Sequence, residues 1–306
     1  MATSTFPEPL IVPPFTPPHT QTIILLHGRG SRATNFGPVL LDTPFPFPST
    51  TSPTTTFRKS LPHTKFIFPT APRSRATIYK RSIINQWFDG WHVDSPQNNK
   101  DWLAIDGLQL TTRHLHDLIR AEAELVPGGA GSVVIGGISQ GCAAALVAAI
   151  LWEGDELGGV IGMCGYLPFA GGITAALEKK GEDTEEIDPF ERGDEEKSQG
   201  EEDLDEEDPG TAAVRELRQF LELEDTSSPQ KGFRAPILST PIFLGHGIDD
   251  EKVPLGVGTT MASCLARMGI NTSWHTYPHL GHWFSANMLS DIFLFLQTKK
   301  TSSLSH

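Results

Sequence analysis

Short apolar runs recur along the chain, most of them closed by glycine or proline and separated by longer stretches of helical periodicity. The runs "TIILLHG" from Thr22, "KFIFP" from Lys65, "SVVIGG" from Ser132, "GVIGMCG" from Gly159, "PIFLGHG" from Pro241 and "TSWHTYP" from Thr272 predict strands buried on both faces. Apolar positions three and four apart predict helices over 101–124, 140–151, 254–268 and 284–299. Val214, Leu217 and Leu221 place one more helix within 211–224. Strands alternating with helices imply an α/β chain with a mostly parallel central sheet and helices on both faces. No repeat of fixed period is present. The 306 residues read as a single domain, 1–306, carrying an insertion at 171–235.

Charge changes this picture in one place. Residues 178–208 hold 17 of the 37 acids and 4 of the 24 bases, which leaves 20 of each elsewhere, so one tract carries the whole net charge of −13. Its few apolar side chains cannot offset the entropy of ordering, and the tract is expected to be a disordered, solvated insertion. Docking of a basic partner is the functional alternative. Nothing basic enough for nucleic acid occurs. No apolar stretch reaches the roughly 20 residues needed to span a bilayer, and the Pro-rich N-terminus lacks the apolar core of a signal peptide. These features predict a cytoplasmic protein. Cys142, Cys164 and Cys264 are odd in number and widely spaced, which predicts buried reduced thiols and no disulfide framework.

The candidate chemistry lies in "GGISQG" at 136–141. Gly137-Ile-Ser139-Gln-Gly141 fits G-x-S-x-G between a predicted strand and a predicted helix, the context in which a sharp turn lifts a serine hydroxyl out of the sheet. The first helical N–H groups then point toward the space where an oxyanion would form. A serine nucleophile needs a histidine base, and that base needs a carboxylate. Downstream, "FLGHGIDDEKVP" offers Asp249 or Asp250 past the end of a strand, and "HTYPHLGHWF" offers His279 or His282, with His275 inside the strand itself. The three histidines have no metal-ligand spacing, and no metal or cofactor is implied.

Taken together these stretches resemble the acyl-protein thioesterase and carboxylesterase family of serine α/β-hydrolases, in a fungal-type form with an acidic insert. The segments "LLHGRGS" (25–31), "FPTAP" (68–72), "NQWFD" (85–89) and "GGISQGCAAAL" are similar to that family's motifs and stand in its order, with "HGIDDEKVP" and "YPHLGH" completing the set. The resemblance implies an α/β-hydrolase fold in which Ser139 is the nucleophile, His282 the base and Asp250 the acid. It places the oxyanion donors on the backbone N–H groups of Arg29 and Gln140. The activity implied is hydrolysis of an ester or thioester through an acyl-enzyme, on S-acylated proteins or, alternatively, on small or lipid esters as a broad carboxylesterase, lysophospholipase or secondary-metabolism esterase. An inactive interaction module using the acidic tract is the reading from another class. The 171–235 segment is expected as a lid or an inert loop, and Trp87, Phe88, Met163, Leu167 and Phe169 as acyl-channel lining or core.

Overall fold

The computed structural model describes residues 6–47, 53–94, 100–183, 208–223 and 234–302. In chain order its elements begin with β1 (Leu10–Val12), β2 (Gln21–Leu26), α1 (Ala33–Asp42), β3 (Phe45–Pro46), β4 (Thr54–Thr55), α2 (Phe57–Ser60) and β5 (Thr64–Phe68). There follow β6 (Arg73–Ala76), β7 (Ser82–Asn85), α3 (Ile105–Ala123), β8 (Val133–Ile138), α4 (Gln140–Ile150), β9 (Gly159–Met163) and α5 (Ala170–Asp183). The last are α6 (Pro209–Phe220), β10 (Ile242–Gly247), α7 (Leu255–Arg267), β11 (Thr272–Tyr277) and α8 (Ala286–Ser302).

Seven strands form the central sheet in the order β1-β5-β2-β8-β9-β10-β11. All neighbours are parallel except β1, which runs antiparallel to β5 at one edge. The order reverses between β2 and β8, as in doubly wound sheets whose ligands sit beyond the carboxyl ends of the strands. Helices α3, α4 and α7 pack against the sheet and α6 joins the same apolar layer beside α5, with Leu108, Leu115, Leu146, Leu217 and Leu265 buried. On the opposite face α1 and α8 bury Phe36, Leu40, Met288, Ile292 and Leu296. Each fully buried Leu or Ile contributes about 2 kcal/mol of transfer free energy.

Helix α4 is the innermost helix, and all of its residues are buried. That explains why its sequence, "QGCAAALVAAI", is small and apolar all round rather than amphipathic. Its first turn crosses β2 so closely that a Cβ at Gly141 would lie 2.4 Å from Leu26 O, so only glycine fits there.

Register brings the strand ends level. Leu26 pairs with Gly137, Gly137 with Gly162, Met163 with Gly245 and Gly247 with Tyr277. The loops following β2, β8, β10 and β11 therefore open on one edge of the sheet.

Three expectations from the sequence need correction. Strand β11 is an edge strand with Ser273 and Thr276 exposed, so it is not buried on both faces as its central neighbours are. Residues 178–183, assigned above to the disordered tract, continue helix α5; the rest of the tract up to 207 lies outside the described residues. The helix expected within 211–224 begins earlier, at Pro209, and Asp208, assigned above to the acidic tract, caps it by accepting from Thr211 N (3.0 Å) and Thr211 Oγ1 (2.6 Å). Among the described residues no helix is long and apolar enough to cross a membrane.

Candidate active site

Ser139 occupies the turn between β8 and α4 with φ 58° and ψ −124°, a backbone region that side chains other than glycine rarely adopt. Ser139 N donates to Met163 O at 2.9 Å, which ties the strained residue to the end of β9. Gln140, the next residue, opens α4, so its backbone N–H is a donor for which the helix supplies no acceptor.

The loop after β10 supplies the carboxylate. Asp250 is buried, and its Oδ1 accepts from the backbone N–H groups of Lys252 and Val253, each at 2.9 Å. His282 Nδ1 lies 2.8 Å from Asp250 Oδ2 and 3.0 Å from Oδ1. Burial alone would raise the carboxyl pKa, but the His282 hydrogen bond, the two amides and the histidine charge outweigh it and hold the group below the usual carboxylate range. An ionised Asp250 only accepts, so the Nδ1 proton of His282 is fixed on the acid side and Nε2 is left to face the cavity chemistry.

The other candidates in these two segments lie elsewhere. Asp249 and His279 are solvent-exposed, 3.9 Å apart, and His275 pairs with Ser273 at 2.7 Å on the sheet edge. Among the described residues no group of three or more His, Cys, Asp or Glu side chains is placed to share a metal ion.

Ser139, Gln140, Arg29 and His282 line one cavity of about 490 Å³, with Tyr79 and Trp283 at its exposed mouth. The Arg29 loop approaches closely because Gly28 has no side chain: a Cβ there would stand 3.4 Å from that of Ser139. Gly30 N donates to Asn85 O (2.7 Å) and Ser31 N to Gly28 O (3.1 Å), whereas Arg29 N has no acceptor among the described residues. The backbone N–H groups of Arg29 and Gln140, two residues that line the cavity with Ser139, thus have no backbone acceptor among the described residues.

A second cavity of about 510 Å³ adjoins the first across Trp91–Asp94 and Tyr166, and Phe88, Leu167 and Phe169 give it an apolar lining. Trp87 and Met163 belong instead to the core.

Several side-chain hydrogen bonds that organise the site are not legible in the sequence, although the residues that make them lie in the segments quoted above. The Gln140 side chain accepts from Trp87 N (3.1 Å) and donates to Phe88 O (2.6 Å), pinning the start of α4 to the 85–89 segment. Trp87 Nε1 donates to His27 O (2.7 Å), while His27 donates from Nδ1 to Gly28 O (2.8 Å) and accepts from Ala71 N at Nε2 (3.1 Å). Burial depresses the His27 pKa to about 4, which keeps the ring neutral as this bonding requires. His246 is also buried and held neutral by desolvation. Its Nε2–H donates to Val253 O at 2.8 Å and stands 3.5 Å from Asp250 Oδ2. The Cys164 thiol donates to Trp283 O at 3.2 Å, and burial pushes its pKa up to about 12, so it stays protonated beside the His282 loop. These bonds join segments 44 or more positions apart, except for the Gly28 and Val253 contacts, and so leave no pattern in any sequence window.

A protein of Gibberella zeae described as acyl-protein thioesterase 1 is 26% identical over 94% of this chain and 94% of its own. Its counterpart in Yarrowia lipolytica is 29% identical over 95% of this chain and 97% of its own. Among solved structures, acyl-protein thioesterase 2 of Zea mays superposes with a TM-score of 0.63 at 20% identity, covering 95% of this chain and 98% of that one, a likeness of α/β-hydrolase fold. The family model described as phospholipase/carboxylesterase matches residues 8–188 and 223–300, leaving 189–222 between its two parts. With the model matched over most of the chain, the protein belongs to the phospholipase/carboxylesterase family of α/β-hydrolases and is a hydrolase of carboxylic esters or thioesters.

Proposed function

We propose that Ser139 is the nucleophile of this hydrolase, with His282 as its base, Asp250 as the acid that orients the base, and the backbone N–H groups of Arg29 and Gln140 as the oxyanion donors. The observation that carries this reading is a serine in a strained turn sharing one cavity with a histidine whose far nitrogen is 2.8 Å from a buried carboxylate. His282 Nε2 takes the Ser139 proton as Oγ attacks the acyl carbonyl. The negative charge that develops on the carbonyl oxygen is met by the two amides in a site partly screened from water. The imidazolium then gives its proton to the departing alcohol or thiol, water repeats the sequence on the acyl-enzyme, and the acid is released.

The substrate we propose is an S-acylated protein, in the cytoplasm. The names of the fungal relatives support it, as does the apolar cavity beside the catalytic one, which offers room for an acyl chain. Three free, buried cysteines suit a reducing compartment. Fluorophosphonate labelling of the full chain followed by peptide mapping tests the mechanism, and a panel of C2 to C16 esters and thioesters tests the substrate class. The adduct is expected on Ser139, and an adduct elsewhere on an active enzyme overturns the assignment.

A further inference from the structure

The chemistry above uses only the backbone of Arg29, yet this residue, with its charged side chain, lines the same cavity as Ser139 and His282. Room for it comes from Gly90: a Cβ at that position would lie 3.1 Å from Nη2. The Nε atom is buried without a hydrogen-bond partner. No carboxylate among the described residues pairs with the guanidinium, although Asp94 and Glu251 line the same cavity from exposed positions. A buried donor left unmet destabilises the fold, so such groups in native proteins are generally matched by a protein group, an ordered water or a ligand. Tyr166 lines the same cavity, and its hydroxyl has no hydrogen-bond partner among the described residues either. Burial pushes this phenol up to about 12, against the pull of the Arg29 charge, so it is a proton donor at neutral pH.

A planar cation and a hydroxyl donor next to a loop that faces the reacting carbonyl form a receptor for an anion. A wall with only a packing role would close over an apolar side chain or carry its own carboxylate. We propose that Arg29 and Tyr166 form an anion-binding subsite beside the oxyanion loop, and that the preferred substrates are esters or thioesters bearing a carboxylate or phosphate a few bonds from the scissile carbonyl. This rests on Ser139 being the nucleophile, since the position of the reacting carbonyl follows from it.

The test compares two pairs of substrates, each with one anionic and one neutral member: the octanoyl thioesters of mercaptopropionic acid and of its near-isosteric amide, and octanoylglycerol with and without a phosphate on the glycerol. Full-length enzyme is expected to favour the charged member of at least one pair by about tenfold or more in kcat/KM, chiefly through KM, with the preference shrinking as salt is raised. The favoured pair identifies the source of the anion. Arg29→Met should bring the charged-to-neutral ratio close to one, Arg29→Lys should keep much of it, and Tyr166→Phe should lower it partway. The ratio decides the matter whatever happens to the neutral rate, and circular dichroism establishes that each variant is folded. Equal rates within both pairs, or a ratio unchanged in Arg29→Met, overturn the subsite alone if fluorophosphonate still labels Ser139. No cleavage of any member and no label on Ser139 overturn the subsite together with the mechanism on which it rests.

Discussion

His282 Nδ1 meets Asp250 Oδ2 at 2.8 Å, although the two residues are 32 positions apart and the acid is wholly inside the protein. An ionised carboxylate is tolerated there because the His282 ring and two backbone amides all donate to it. Their bonding separates each residue from its neighbour of like chemistry. Asp250→Asn should lower kcat by about 10³-fold to 10⁴-fold, as loss of the orienting acid does elsewhere, and His282→Ala should be at least as damaging. Asp249→Asn and His279→Ala should stay within a few fold of the unchanged enzyme. Ester turnover by the four purified variants checks this, and similar losses within either pair would refute the assignment.

Backbone strain at Ser139 gives a prediction with two readouts. Both Ser139→Ala and Ser139→Gly should lower turnover by about 10³-fold or more and abolish fluorophosphonate labelling. Only the glycine variant relieves the positive φ, and it should be more stable than the alanine variant by about 1 kcal/mol. Chemical denaturation of the two proteins measures the difference.

Gln140 joins α4 to the 85–89 segment through two buried bonds of opposite sense. Gln140→Glu keeps the acceptor for Trp87 N but sets an oxygen against Phe88 O where a donor had been. The expected cost is about 1–3 kcal/mol, with a lower kcat because the proposed oxyanion donor and the start of α4 move together. A variant as stable and active as the parent would show that the bridge is dispensable.

The buried neutral histidines make stability sensitive to acid. His27 has a folded pKa of about 4 against an ordinary value of 6.5, so the unfolded chain binds the proton more readily. Stability from this group is fully present above pH 6.5 and is lost as pH falls through about 4; His246 and His116 are shifted in the same direction. Asp250, also depressed, contributes above its unfolded value near 4 and loses that contribution in stronger acid. Urea denaturation between pH 8 and pH 4 should show stability falling by a few kcal/mol, on the order expected for such shifts. His27→Gln should flatten part of that slope.

Asp208 marks where an excision in the acidic tract must stop. Asp208→Ala removes the cap of α6 and should cost about 1 kcal/mol, measured by thermal or chemical unfolding. Deleting 190–205, which leaves the cap intact and falls in the tract whose composition predicts a solvated insertion, should change stability little. Hydrolysis of short-chain and long-chain esters should both persist. Selective loss of long-chain activity would show that the segment acts as a lid.

The sequence by itself determined the alternation of apolar strands and helices, the turn that bears Ser139, and the order of the segments that bear Asp250 and His282. Those features are local. A buried parallel strand must be apolar on both faces, and a tight strand-to-helix turn must have glycine where a Cβ would strike the neighbouring backbone, so each leaves its mark within a few residues. Tertiary structure alone decided the remainder: that β1 closes one edge antiparallel, that β11 is half exposed, that α5 runs to Asp183, and that Gln140 grips residues 87 and 88. Of the two adjacent aspartates the family resemblance already singled out Asp250, and the structure supplies the physical reason that it is the one that turns inward. At Asp249 and Asp250 the residues are chemically equivalent, and the choice is made by the amides of Lys252 and Val253 and by the return of the chain at His282. Hydrogen bonds between distant segments depend on register and on the depth of burial, and neither is a property of any short window of sequence.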